Sequence, residues 1–186
     1  MAEGNTPARD FIADPSSTNA IIDAIYALIR APEGLDDLVA RIADWIGAEM
    51  ALAASPALPG CRAVPLAYKM DFTAVMNEPE LLMRPEFTLR ALATGRAPGV
   101  FLFEDLMPAD ERTASPYWQK IMAPLGIASG ILTVIRTGED NGQPLIVNFF
   151  RTASRPPFSV AHVAAMEDLL PHLRRAFGIL LDAPST

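Results

Sequence analysis

Residues 159–181 read SVAHVAAMEDLLPHLRRAFGILL, and this stretch decides the architecture. Val163, Leu170 and Phe177 form one row at a spacing of seven, and Met166, Leu173 and Leu180 form a second row beside it. The two rows make a sustained apolar stripe along one long amphipathic helix. Such a helix covers a sheet, pairs with a copy of itself, or leads into another domain. Each of these uses suits a module that passes on a state rather than one that does chemistry. The plainer alternative is a core helix of a monomer.

Working outward from the stripe, Ser159 follows Pro157 and Phe158 and is a good N-cap, with Phe158 placed to staple onto the first turn. Pro171 sits inside the pattern, removes one backbone donor, and predicts a kink. Asp168 and His172 lie four apart and are placed to pair, while Arg174 and Arg175 suit the solvent side. Beyond Pro171 the stripe is wider than one sheet face needs. That predicts Leu173, Phe177 and Leu180 exposed in a monomer and covered in a homodimer. The expected dimer and signalling residues are therefore Met166, Leu170, Leu173, Phe177 and Leu180.

Upstream of the helix lie the clearest strands. SGILTVIR and PLIVNFFR are joined by TGEDNGQ, a loop rich in turn formers, and predict an antiparallel hairpin. Both strands are apolar at nearly every position, which suits a sheet covered on both faces. Nearer the N-terminus, residues 19–30 and 35–46 read as helices broken by Pro32 and Gly34, the second ending at Gly47. EMALAAS reads as a strand; RAVPLAYK reads as another, and its Pro65 argues for an edge position or a bulge. Residues 79–94 are helical in pattern with a break at Pro85, and VFLFEDLM holds a short strand. PADERTASPYWQKIMAPLG reads as one or two short helices ending at Gly126.

The assembled expectation is an α+β domain over residues 18–181, between tails at 1–17 and 182–186. It has an antiparallel sheet of four or five strands. The first and last helices cover one face, and the irregular segment 77–124 covers the other.

Composition bounds the function. The chain has 186 residues, 51% hydrophobic and 20% charged, so it is long enough for a real core and not a disordered composition. The formal net charge is −7, and the 15 Lys and Arg form no run longer than Arg174-Arg175. Phosphate contacts need clustered cations, so no direct nucleic-acid contact is expected from this chain. No apolar run reaches the length of a membrane span, residues 1–10 lack the apolar core of a signal peptide, and Cys61 has no partner for an internal disulfide. A cytoplasmic protein is the expectation.

That order of elements resembles a PAS/GAF-like sensor domain. The run RPPFSVAHVAAMEDLLPHLRRAF is similar to a segment of bacterial LuxR-type helix-turn-helix regulators. In them a G/P-P-F-S turn opens a helix carrying an L-x-PHL-x-RA run. Here Pro157, Phe158 and Ser159 supply the turn, and Leu170, Pro171, His172, Leu173, Arg175 and Ala176 supply the run. FEDLMPADERTASPYWQKIMAPLG looks like the segment those regulators place before the hairpin. The resemblance spans most of the chain in outline and is specific over residues 155–177. It implies the N-terminal sensor domain of such a regulator, and the helix-turn-helix domain itself has no counterpart in these residues. The Trp, Tyr and Asp pattern of the acyl-homoserine-lactone receptors in the same superfamily does not map onto this chain, so the resemblance does not carry that ligand over.

Catalysis needs convergent polar groups, and few are in view. His162 and His172 lie ten apart on one helix and point to different faces. There is no HExxH, CxxC, GxSxG or GxGxxG, so neither a metal site nor a cofactor is expected, and the chain does not read as an enzyme. Cys61 reads as an ordinary thiol, and Glu104-Asp105 and Glu139-Asp140 read as solvated pairs in loops.

The better candidate is a small-molecule pocket between the middle helices and the sheet. Its expected wall is Phe87, Phe103, Tyr117, Trp118 and Met122, with Ile131, Thr133, Asn148 and Phe150 from the hairpin. Thr133 and Asn148 are polar residues in apolar strands, and a buried hydroxyl or amide needs a partner. The partner is a ligand, a neighbour or the backbone. Two functions follow: a ligand-sensing, dimeric regulatory domain, or a ligand-free interaction module that uses the helix only to dimerise.

Overall fold

The structure is a computed structural model, and it describes residues 13–54, 66–75, 77–82, 85–137 and 144–182. Helix α1 spans Pro15–Ala27. The Asp14 carboxylate caps it by accepting from the Ser17 amide at 2.9 Å, and Pro15 occupies the first turn, where no amide is needed. The helix thus starts before residue 19 and takes in the last residues of the expected tail. Asp14-Pro15 was the signal for that start. Helix α2, Leu35–Ile46, buries Leu38, Val39, Ile42, Ala43 and Ile46, and Gly47 ends it in the left-handed region at φ 70°. Trp45 is half-buried and packs against the same core.

Strand β1 is Met50–Ala54 and β2 is Leu66–Tyr68. The start of the expected second strand, with Pro65, lies outside the described residues, as does Cys61. The middle segment breaks into α3 (Pro79–Leu82), α4 (Glu86–Ala93), β3 (Gly99–Leu102), α5 (Phe103–Leu106) and α6 (Ala109–Ala114), then a π-helical turn over Trp118–Met122. The hairpin is β4 (Ile127–Arg136) and β5 (Leu145–Thr152), and α7 is Val160–Asp182.

Among the described residues, five strands form one antiparallel sheet in the order β2-β1-β5-β4-β3. The β2 strand, Leu66–Tyr68, lies at an edge of the sheet. Strand β5 sits at the centre, and its buried run from Leu145 to Arg151 agrees with a sheet covered on both sides. On one face α1, α2 and α7 bury Ile25, Ile42, Ile135, Val147 and Phe149. On the other, the middle segment buries Phe87, Phe101, Phe103, Leu132 and Phe150. This is the expected two-sided arrangement.

Helix α7 departs from expectation on its apolar stripe. It runs as one helix with Pro171 inside it and packs on β3, β4 and α1. Met166, Leu173 and Phe177 are 0%, 2% and 1% exposed in the chain's own core, and Leu170 and Leu180 are half-buried against it. Leu173 and Phe177 therefore do not stand exposed in a single copy. The reason is that α1 and α2 lie beside α7 and extend the apolar surface past the sheet, so the later turns find cover within the chain. His172 also differs: its Nδ1 lies 3.0 Å from the Tyr26 hydroxyl of α1, with the rings edge to face. Asp168, its expected partner, sits on the exposed side of the helix.

Candidate ligand-binding face

Side chains alternate along a strand, so each hairpin residue belongs to one face only. Leu132 and Phe150 point to the middle helices, while Ile131 and Phe149 point to α7. Asn148 pairs across the sheet with Leu132 and Leu52, both on the middle-helix side, so its carboxamide shares that face. Thr133 pairs with Val147 and Val100, both on the α7 side. The expected wall placed Ile131 and Thr133 with Asn148 and Phe150. The structure corrects this: Ile131 and Thr133 lie behind the sheet, one residue out of phase.

The rest of the expected wall comes together. Phe87 of α4 stacks on Phe103 at 3.9 Å between ring centroids and 11° between planes. Tyr117 and Trp118 each meet Phe87 edge-on, at 6.2 and 6.1 Å, and Phe103 meets Phe150 edge-on at 5.8 Å. Met122 belongs to the same cluster. Room for the Phe103 ring comes from Gly130 beneath it, where a Cβ would lie 2.7 Å from the ring. Trp118 is only half-buried, at the solvent margin of the cluster.

A charged rim surrounds this margin. Glu86 Oε1 accepts from Arg90 Nε and Nη2 at 3.1 and 2.9 Å, and its Oε2 accepts from Ser115 Oγ at 2.6 Å. Ser115 Oγ in turn accepts from the Trp118 amide at 3.1 Å. Arg90 Nη1 also donates to Glu111 at 2.6 Å and to the Leu106 carbonyl at 3.1 Å. Arg112 lies 4.9 Å from the Trp118 ring centre, donates to the Met107 carbonyl at 2.9 Å, and sits 3.5 Å from Glu104. Glu104 is thus tied to α6 rather than simply solvated. Burial holds the Tyr117 hydroxyl well above its ordinary titration range, and the nearby Glu86 carboxylate adds to this. The phenol is a neutral donor at any physiological pH.

Two buried polar groups stand out. Thr133 Oγ1 is fully enclosed and has no hydrogen-bond partner among the described residues, but it faces α7. Asn148 is a polar residue of the central strand and is 7% exposed. It sits at the centre of the sheet on the aromatic side.

The structure also shows residues that pattern reading missed. Arg151, one residue before the end of β5, is 8% exposed and donates to the carbonyls of Ile46 (2.9 Å), Gly47 (2.9 Å) and Pro156 (3.0 Å). It stacks its guanidinium on Phe158 at 4.0 Å. Its only sequence signal was a cation closing an apolar strand. His162 lies beside it, with its Nδ1 3.1 Å from the Ser159 amide nitrogen and 2.9 Å from Ser159 Oγ, so the Ser159 side chain meets the histidine ring at the start of α7. The two histidines are on different faces, as expected. No group of three or more His, Cys, Asp or Glu side chains able to hold a metal occurs among the described residues. No helix there is long and apolar enough to cross a membrane.

No protein-family model matches the sequence, and no curated protein matches it. Solved structures do match. The chain is similar to the VqsR LBD domain from Pseudomonas aeruginosa, with a TM-score of 0.56 and 15% identity over 88% of this chain and 95% of that one. It is similar to CepR2 from Burkholderia cenocepacia, an N-acylhomoserine lactone dependent LuxR-family transcription factor. There the TM-score is 0.59, with 13% identity over 90% of this chain and 96% of that one. The fold of this chain is that of the ligand-binding domains of LuxR-type regulators.

Proposed function

We propose that this chain is the signal-sensing and dimerisation domain of a bacterial transcriptional regulator. It binds a small apolar or aromatic molecule over the middle-helix face of the sheet and passes the bound state to α7. The observation that carries this reading is Asn148. Its carboxamide is a hydrogen-bonding group set in an otherwise apolar central strand on the aromatic side of the sheet. A ligand that lays its body along Tyr117, Trp118, Met122 and Phe150 and gives one hydrogen-bonding group to Asn148 gains about 0.5–1.5 kcal/mol from that bond. The charged rim at Glu86, Arg90 and Arg112 holds the Trp118 turn in place, and that turn is the part of the cover that moves with least disruption of the sheet.

The signal has a short path through the sheet. Phe150 touches Phe103 on the ligand side, and the next residue, Arg151, reaches His162 at the start of α7 on the other side. Displacement of the aromatic cluster therefore acts on α7 through one strand. On this reading the protein works in the cytoplasm as a homodimer, performs no catalysis, and makes no direct nucleic-acid contact through this chain.

Native mass spectrometry of protein purified from cells tests the reading. We expect a retained small molecule on the wild type and its loss in Asn148→Leu, with the fold intact by circular dichroism. An N-acylhomoserine lactone, the ligand class on which CepR2 depends, is the first probe to add to ligand-free protein. Equal retention by wild type and variant would remove Asn148 from the site.

A second reading is favoured by one observation. The Phe87–Phe103 stack is closely packed, with both rings buried, as in a finished core. On that reading the chain is a ligand-free dimerisation and interaction module, and mass spectrometry finds no small molecule.

A further inference from the structure

With Leu173 and Phe177 buried inside one copy, any dimer contact on α7 must use its other face. That face has an internal symmetry. Ala164, Glu167, Asp168, Pro171, Arg174 and Arg175 are exposed, and Gly178 is half-buried in the same line. Glu167 and Arg175 each lie four residues from Pro171, Asp168 and Arg174 three, and Ala164 and Gly178 seven. The acids occupy one side of the proline and the bases the other.

These charges do not satisfy one another within the helix. Acid and base are six to eight residues apart, about 9–12 Å along the axis, beyond the i,i+4 spacing at which helix side chains meet. None of the four has an ion pair or hydrogen bond to another side chain among the described residues. Along the centre of the stripe the residues are small or flat: Ala164, Pro171 and Gly178. A Cβ placed on Gly178 would meet nothing within 4 Å, so the surface above it is open. A shallow groove lies over this face, lined by Leu170, Pro171, Arg174 and Arg175 with Arg136 of β4.

We propose that this face is the homodimer contact, with two copies of α7 crossing antiparallel about a two-fold axis at Pro171. Glu167 of each copy then meets the partner's Arg174 on one flank of the stripe, and Asp168 meets the partner's Arg175 on the other, so two acids and two bases on each helix are neutralised at once. Ala164 and Gly178 face each other and let the axes approach. Ile179, 46% exposed, comes level with the partner's half-buried Val163. A two-fold contact requires a self-complementary surface, and a stripe that is acidic on one side of its centre and basic on the other meets that requirement. A partner of a single charge sign would match only half of it. The inference rests on the homodimer part of the proposed function and assigns its contact residues anew.

Charge reversal of the full chain tests it, read by light scattering at about 100 µM, a concentration that populates even a weak dimer. Wild type is expected to be dimeric at low salt, with dissociation rising about tenfold or more at high salt, because rim ion pairs are screened. Glu167→Arg with Asp168→Arg gives a face that is basic throughout, and Arg174→Glu with Arg175→Glu gives one that is acidic throughout. Each variant alone is expected to be a folded monomer, the substituted positions being exposed. Their equimolar mixture should form a heterodimer, and the four substitutions in one chain should restore the homodimer. A wild type monomeric at this concentration overturns both this contact and the homodimer reading. A dimer that survives both reversals overturns the contact alone. Two monomeric variants that fail to associate when mixed overturn the antiparallel pairing.

Discussion

Arg151 on β5 places its Nη2 3.1 Å from His162 Nε2 on α7, and the same nitrogen donates to the Ile46 carbonyl at the end of α2 at 2.9 Å. One guanidinium therefore ties together the central strand, the end of one helix and the start of another. Its positive charge also sits against a histidine ring that is 6% exposed.

That arrangement makes the fold acid-sensitive. Burial, and then the charge of Arg151, pushes the His162 pKa down to about 4 from 6.5. A histidine lowered in the folded state stays neutral there while the unfolded chain takes up a proton. The stability from this site is fully present above pH 6.5 and is lost as pH falls from 6.5 towards 4. Between neutrality and about pH 5 the loss should be about 2 kcal/mol. Urea unfolding at the two pH values measures it, and His162→Gln should remove most of the difference while costing some stability at neutral pH.

Gly130 should not tolerate a side chain. A Cβ there falls 2.7 Å from the Phe103 ring, which is itself wedged between Phe87 and Phe150. Gly130→Ala should cost about 1–3 kcal/mol by overpacking. A double variant with Phe103→Leu should recover part of that loss in denaturant unfolding, which shows that the ring is the obstacle.

Leu173→Glu together with Phe177→Glu should unfold the domain rather than yield a folded monomer. Both side chains lie in the core shared with α1 and α2, and even Phe177→Ala alone should cost about 3–5 kcal/mol. Loss of the cooperative transition by circular dichroism is the expected result. A folded, monomeric double variant would contradict the core placement.

Trp118 and Trp45 should separate binding from stability. Trp118→Ala removes a half-buried ring at the margin of the aromatic face and should cost about 1 kcal/mol while abolishing ligand retention. Trp45→Ala opens the packing of α2 against the helical core and should leave ligand retention intact in whatever fraction folds. Thermal unfolding and native mass spectrometry of the same samples distinguish the two.

Much of this was legible in the chain itself, because it depends on local order. The β4–β5 hairpin announced itself by two apolar runs around a loop of turn formers, and α2 by its periodicity and the glycine that ends it. The two-sided covering of the sheet followed from strands with no polar face. The aromatic residues of the middle segment, Phe87, Phe103, Tyr117, Trp118 and Met122, were recognisable as one wall because short proline-bounded helices have to lay their apolar sides on a sheet. Tertiary structure decided the rest. Strand phase depends on the register shift between Val134 and Arg136: had the pairing of Arg136 with Leu145 continued unbroken, Thr133 would face Asn148 and Ile131 would face Phe150, but the shift put Ile131 and Thr133 behind the sheet while Asn148 and Phe150 stayed in front. The fate of Leu173 and Phe177 depended on whether another part of the chain lay beside α7. Periodicity says which side of a helix is apolar, but only the packing of α1 and α2 determines what covers it.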